Sequence, residues 1–134
     1  MVRLIALLLL SAAIYAVETV EVPDWVLVGI LSVESRSYYA DDGIVYIDRR
    51  RGRHGERGPF QMTRIAFNQI AKPGERFESL STDLDLAEDC AKRYLVWLHV
   101  NFSRRQWTRT VMMYNAGPGR ISRTYLNRVK DASK

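Results

Sequence analysis

The longest periodic run in the sequence sets the architecture. Leu84, Ala87, Ala91, Tyr94, Leu95 and Leu98 recur three and four residues apart, the spacing of one face of an α-helix. A stripe of that length has to be covered, and the remaining chain supplies helices to cover it. Pro23 and Asp24 open one, since Pro suits a first turn and Asp suits the positive end of the dipole. Leu27, Ile30 and Leu31 form its apolar face, and it is expected to run to Tyr38 or Tyr39, before "ADDG". "MTRIAFNQIA" reads as a short helix capped by Thr63 and broken by "KPGE". Thr82 is the expected cap of the long helix, with Asp85 in the capping-box position. After a loop at "FSRRQ", "WTRTVMMY" forms a helix that stops at "NAGPG", and residues 120–129 form a last amphipathic helix. The β signal is confined to "GIVYID", residues 43–48, where β-branched and aromatic residues cluster. The expectation is a mainly α domain with one short β excursion after the first core helix.

The chain's 134 residues suffice for one domain with one core. The N-terminus reads as a separate object. "MVRLIALLLLSAAIYA" has an early cation, an apolar run and then small residues, the pattern of a secretory signal. Residues 1–16 are therefore expected to be a signal peptide, cleaved after Ala13 or Ala16, and residues 17–134 the domain. The apolar run falls short of the roughly 20 residues that span a bilayer, so no stable membrane anchor is expected after cleavage. With Cys90 alone there is no internal disulfide, and its place beside Ala91 in the long stripe marks it as a small core residue.

Glu34 is the anomaly. It follows Leu27 by seven residues, Leu31 by three and Ile30 by four, so it shares the apolar face of the first helix. Desolvation there favours the neutral acid, and a carboxyl that keeps its proton near neutral pH is what a general acid requires. The competing reading is a structural, ion-paired carboxylate.

Two further strings carry weight beside "VESRSYY": "GPFQMT", residues 58–63, and "MMYNAGPGRI", residues 112–121. Gln61 offers both donors and an acceptor, suited to an acetamido sugar, or to its own loop backbone. Tyr114 ends an apolar helix, where its phenol could donate to the carboxylate or simply pack. Asn115 suits either sugar or the turn. The Gly117–Pro118–Gly119 turn allows close backbone approach.

In this order the three strings resemble the lytic transglycosylases that share the goose-type lysozyme fold. The resemblance runs from about Val22 to Leu126, and "YNAGPG" is its most specific part. It implies a lysozyme-like fold and cleavage of peptidoglycan between N-acetylmuramic acid and N-acetylglucosamine, with a 1,6-anhydro product. It implies Glu34 as the single catalytic acid, then base. It places Ser35, Gln61, Tyr94, Tyr114 and Asn115 against substrate. Pro59 and Phe60 stand where the family has Leu-Met. The interval between Glu34 and Gln61 is longer than the resemblance implies, and the excess falls in the strand and an Arg-rich loop.

That loop, residues 49–57, contributes much of a net charge of +5. A positive rim suits an anionic polymer such as peptidoglycan. No nucleic-acid recognition motif accompanies it, so no nucleic-acid partner is expected. His54 and His99 lack metal-ligand spacing, and no metal or cofactor is expected. Two alternatives stay open. Asp48 or Glu56 could position a water, which would make a hydrolytic muramidase, or the groove could bind cell wall without turnover. The expected setting is periplasmic or secreted, or carried in a virion, and the expected state is a monomer.

Overall fold

The computed structural model describes residues 19–134, so the expected signal peptide lies outside the described residues. Among the described residues five helices and one two-stranded sheet follow in the order α1 (Asp24–Ser35), β1 (Tyr38–Ala40), β2 (Gly43–Val45), α2 (Arg64–Ile70), α3 (Leu84–Asn101), α4 (Trp107–Ala116) and α5 (Arg123–Ala132). A 3₁₀ turn, Phe77–Ser81, joins α2 to α3. The strands are antiparallel, with Tyr38 opposite Val45 and Ala40 opposite Gly43. The expected class, mainly helical with a short β excursion, is the one observed. Among the described residues no helix is long and apolar enough to cross a membrane.

The α3 stripe is the floor of the core. Ala87, Cys90, Ala91, Tyr94, Leu95 and Leu98 are buried in the core, and α3 packs against α2, the 3₁₀ turn and α4. Burial pushes the Cys90 thiol up to about 11, which leaves it protonated and unreactive at neutral pH. Helices α1 and α5 approach so closely that a Cβ on Gly29 would lie 2.4 Å from the Val129 carbonyl oxygen. That contact fixes the end of α1, and with it Glu34, relative to α5.

Several boundaries differ from expectation. Helix α1 stops at Ser35 instead of continuing to Tyr38 or Tyr39. Arg36 turns left-handed (φ 54°), and the hydroxyls of Ser35 and Ser37 take up backbone partners in competition with a further helical turn. Tyr38 and Tyr39 become β1, and only Gly43–Val45 of the expected 43–48 strand is paired. Beyond it, the Ile47 amide donates to Ser37 Oγ (3.0 Å) and the Asp48 amide to the Ser35 carbonyl (2.9 Å), which draws the chain back along the end of α1. Asp83 caps α3, not Thr82: its Oδ1 accepts from the Leu86 amide at 3.0 Å, which leaves Asp85 in the first turn. Thr63 caps α2 as expected, accepting from the Ala66 amide at 3.1 Å. Helix α4 runs on through Asn115 to Ala116, and α5 starts at Arg123 and ends at Ala132.

Candidate active site

The end of α1, the 52–63 loop and turn, and the end of α4 meet around a groove made of two adjoining cavities. One, of about 250 Å³, is lined by Glu34, Gly52, Arg53 and Glu56. The other, of about 220 Å³, is lined by Met62, Ile65, Ala66, Tyr94 and residues 116–118. Gln61, Thr63, Tyr114 and Asn115 line both. The three sequence strings therefore converge on one groove, with a polar end at Glu34 and an apolar end at Tyr94.

Glu34 sits in the last turn of α1, half-buried. Burial raises its pKa above the ordinary carboxylate value. A hydrogen bond from Tyr125 and the charge of Arg128 oppose that rise, and the neighbouring Glu56 adds to it. The Tyr125 hydroxyl donates to Glu34 Oε1 at 2.7 Å. Tyr125 is itself 3% exposed, and burial together with Glu34 keeps its phenol protonated. As a neutral donor it stabilises the carboxylate without neutralising it, so Glu34 can hold a proton and can also carry a charge. The ion pair that would make Glu34 structural is absent among the described residues, where Arg128 acts only through its field.

Tyr125 was invisible to motif reading. It lies 91 residues from Glu34, in the last amphipathic helix, outside the three strings. The available signal was its i+4 spacing to Val129, which puts it on the buried face of α5. Tyr114, expected to donate to the carboxylate, instead donates to the Phe60 carbonyl at 2.7 Å. That bond joins α4 to the 58–61 turn, and the ring walls both cavities.

Ser35 does not reach the groove. It is 1% exposed, its hydroxyl donates to the Pro59 carbonyl at 2.7 Å, and Ser37 Oγ lies 2.7 Å away. It ties the end of α1 to the same turn from beneath. Gln61 is at the groove in a left-handed conformation (φ 46°). Its Nε2 donates to the Gly58 carbonyl at 2.9 Å, so the amide nitrogen serves its own loop. Oε1 has no partner among the described residues and is the atom left for a ligand. Asn115 is exposed on the wall between the cavities. Tyr94 packs 5.8 Å from the Tyr114 ring, at the apolar end and away from the cavity that holds Glu34.

The two other carboxylates separate clearly. Asp48 forms a two-point pair with Arg50 (2.9 and 2.7 Å), which holds its carboxyl down at about 2, and it lines neither cavity. Glu56 lines the Glu34 cavity, and its Oε2 accepts from the His54 amide at 2.9 Å. Gly52 makes room for it: a Cβ there would lie 1.9 Å from Glu56 Oε2 and 2.8 Å from Gln61 Oε1. The Arg loop is folded rather than loose. Arg49 lies 4.6 Å over the Tyr46 ring, Arg57 packs 5.7 Å from the Phe77 ring, and Arg53 lines the groove.

No curated protein and no solved structure matches the chain. A family model described as the transglycosylase SLT domain matches residues 11–134, nearly the whole sequence. The chain therefore belongs to the transglycosylase SLT domain family.

Proposed function

We propose that this protein is a peptidoglycan lytic transglycosylase in which Glu34 is the only proton-transferring group. Family membership supports peptidoglycan cleavage of the lytic transglycosylase type. The observation that carries the assignment to Glu34 is the 2.7 Å bond from a buried, neutral tyrosine to a carboxyl whose pKa burial has raised. Tyr125 occupies Oε1, which leaves Oε2 for the transferable proton.

In this reading Glu34 gives its proton to the glycosidic oxygen as the bond to C1 of N-acetylmuramic acid breaks. The 2-acetamido group of that sugar stabilises the cationic C1, as in substrate-assisted glycosidases. Glu34, now ionised and held by Tyr125, takes the proton of the sugar's 6-hydroxyl as O6 closes on C1. The product is a 1,6-anhydro ring, Glu34 ends protonated, and no water is consumed. Gln61 Oε1 and the Asn115 amide line the groove as acceptor and donor for acetamido and hydroxyl groups, and Tyr94 and Tyr114 give an apolar wall for a sugar face. The enzyme would meet this substrate outside the cytoplasm, in the periplasm or after secretion, acting as a monomer.

One observation favours a second reading, hydrolysis. Glu56 shares the cavity with Glu34, and a second carboxylate on the far side of a sugar can position a water. Asp48, tied to Arg50, does not serve that role. Single substitutions separate the two. With purified sacculi, Glu34→Gln is expected to abolish release of soluble fragments, whereas Glu56→Gln retains it. Loss of release in both variants would favour hydrolysis, and full release by Glu34→Gln would remove the proposed mechanism.

A further inference from the structure

A third cavity lies at the 117–119 turn, beside the groove's apolar end. It measures about 200 Å³ and is lined by Phe102, Met112, Met113 and Ile121 with three arginines, Arg104, Arg109 and Arg120. None of the three is ion-paired among the described residues. Nor can a nearby stretch of sequence supply a partner: residues 102–130 hold seven Arg and Lys and no Asp or Glu. Arg109 is half-buried even so.

The backbone is bent to make this pocket. Arg104 and Arg105 take consecutive left-handed conformations (φ 52° and 56°), which is uncommon for two non-glycine residues in a row. The bend is held by the Arg105 amide, which donates to the His99 carbonyl at 3.2 Å. It brings Arg104 to the cavity from the α3–α4 connection, to meet Arg109 from α4 and Arg120 from the turn. Strain of this kind collects where a site needs a particular side chain in place.

We propose that this cavity binds the carboxylates of the peptide stem borne by the glycan strand in the groove. The inference rests on the reading of the groove as a glycan site. Pro118 lines the groove and its neighbour Gly119 lines the arginine cavity, so the 117–119 turn walls both. A stem of four residues reaches about 13 Å from its sugar, enough to cross that wall. Guanidinium groups match carboxylates two-to-two, and the buried Met112 and Met113, with Phe102 and Ile121 at the exposed rim, suit alanine methyls and aliphatic stems between the charges. The site makes the enzyme selective for peptide-bearing over stripped glycan.

The test compares glycan strands that carry stems with the same strands stripped by an amidase, using wild type and the triple variant Arg104→Ala/Arg109→Ala/Arg120→Ala. The variant's kcat/KM on peptide-bearing strands is expected to fall about tenfold, the scale of two or three partly exposed charge pairs, with cleavage of stripped strands unchanged. Equal loss on both substrates, or no loss on either, overturns the proposal. Arg120→Ala alone, in an exposed turn, gives a smaller fall in the same direction if the triple variant folds poorly. Binding is read separately from turnover by titrating the free tetrapeptide L-Ala-D-γ-Glu-L-Lys-D-Ala into the ¹⁵N-labelled chain. Shifts at Arg104, Arg109 and Gly119 that vanish when the peptide carboxyls are amidated support the site. Shifts that survive amidation, or none there, sink it. If wild type releases nothing from either strand, the catalytic reading fails, and the titration still decides the cavity. Vesicles of phosphatidylglycerol provide the last arm. Vesicle binding lost in the triple variant, with peptide selectivity intact, would assign the arginines to lipid and overturn the proposal.

Discussion

Tyr125→Phe isolates the least expected part of the site. It removes one hydroxyl and leaves the buried ring packed between α5 and α1. The lost bond is 2.7 Å long and ends on Glu34 Oε1. Donated to an ionised carboxylate, such a bond is worth roughly 1.5–3 kcal/mol, and about half that to the neutral acid. The difference, about 1–1.5 kcal/mol, is close to one pH unit. Because the bond favours the charged form, its removal lets burial push Glu34 further up. In the proposed mechanism kcat/KM falls as pH rises through the Glu34 pKa, since the free enzyme must present the acid. The basic limb of the pH profile is therefore expected to move about one unit toward higher pH in the variant. At pH values below the limb, kcat is expected to drop about three- to tenfold, because the charge growing on Glu34 has lost its donor. The assay is fragment release from sacculi across pH, with a thermal melt to confirm folding. A limb that stays put, or moves to lower pH, would refute the assignment of Tyr125 as the group that tunes Glu34.

Three further outcomes follow from the same geometry. Glu34→Gln should lose at least about 100-fold in activity, the scale of an acid–base group. Its stability also carries a sign. Burial raises the folded pKa of Glu34 above the unfolded value of about 4.3, so the wild-type folded state gains from its tighter proton below that value and loses the gain as pH rises through the folded pKa. Relative to wild type, the glutamine variant should look better at pH 7.5 than at pH 3.5 in urea unfolding. The opposite trend would mean an ion-paired structural carboxylate. Gly58→Ala should destabilise by about 3 kcal/mol or more, because Gly58 sits at φ +78° and the new methyl would lie 2.4 Å from the Leu80 carbonyl oxygen. A change under 1 kcal/mol in its unfolding curve would contradict the turn geometry. Neutralising Arg49, Arg50 and Arg51 together should raise KM for whole sacculi about threefold at low salt, an effect that salt screens. An equal rise at high salt would make the loop structural.

The helices were legible because their apolar residues repeat with a local period, and burial follows that period along α3. Glu34 was legible for the same reason, as a carboxylate in the wrong phase. What surrounds it was not. The Tyr125 donor is brought in by the close packing of α1 on α5, where Gly29 admits Val129, and nothing local to either segment announces that contact. Ser35 looked like part of a binding motif because it follows Glu34 in sequence. A one-residue step on a helix turns the side chain about 100°, and here that step carries it from the groove into the interior, onto Pro59. Tyr114 was expected to donate to the Glu34 carboxylate or to pack, and its hydroxyl goes instead to the Phe60 carbonyl, because which oxygen meets the end of α4 is set by the fold of the distant 58–61 turn. The cap of α3 moved by one residue because Thr82 and Asp83 are both good caps, and the 3₁₀ turn ending at Ser81 sets the phase that favours Asp83. The arginine cavity escaped notice because its members come from three separate elements.

The most direct test is the isotopic composition of the fragments released from purified sacculi in ¹⁸O-water. A single-carboxyl mechanism predicts 1,6-anhydro-muramic ends with no incorporated ¹⁸O, formed by wild type and not by Glu34→Gln. Reducing muramic ends carrying one ¹⁸O from solvent would contradict it, and would hand the second half of the reaction to a water positioned by Glu56.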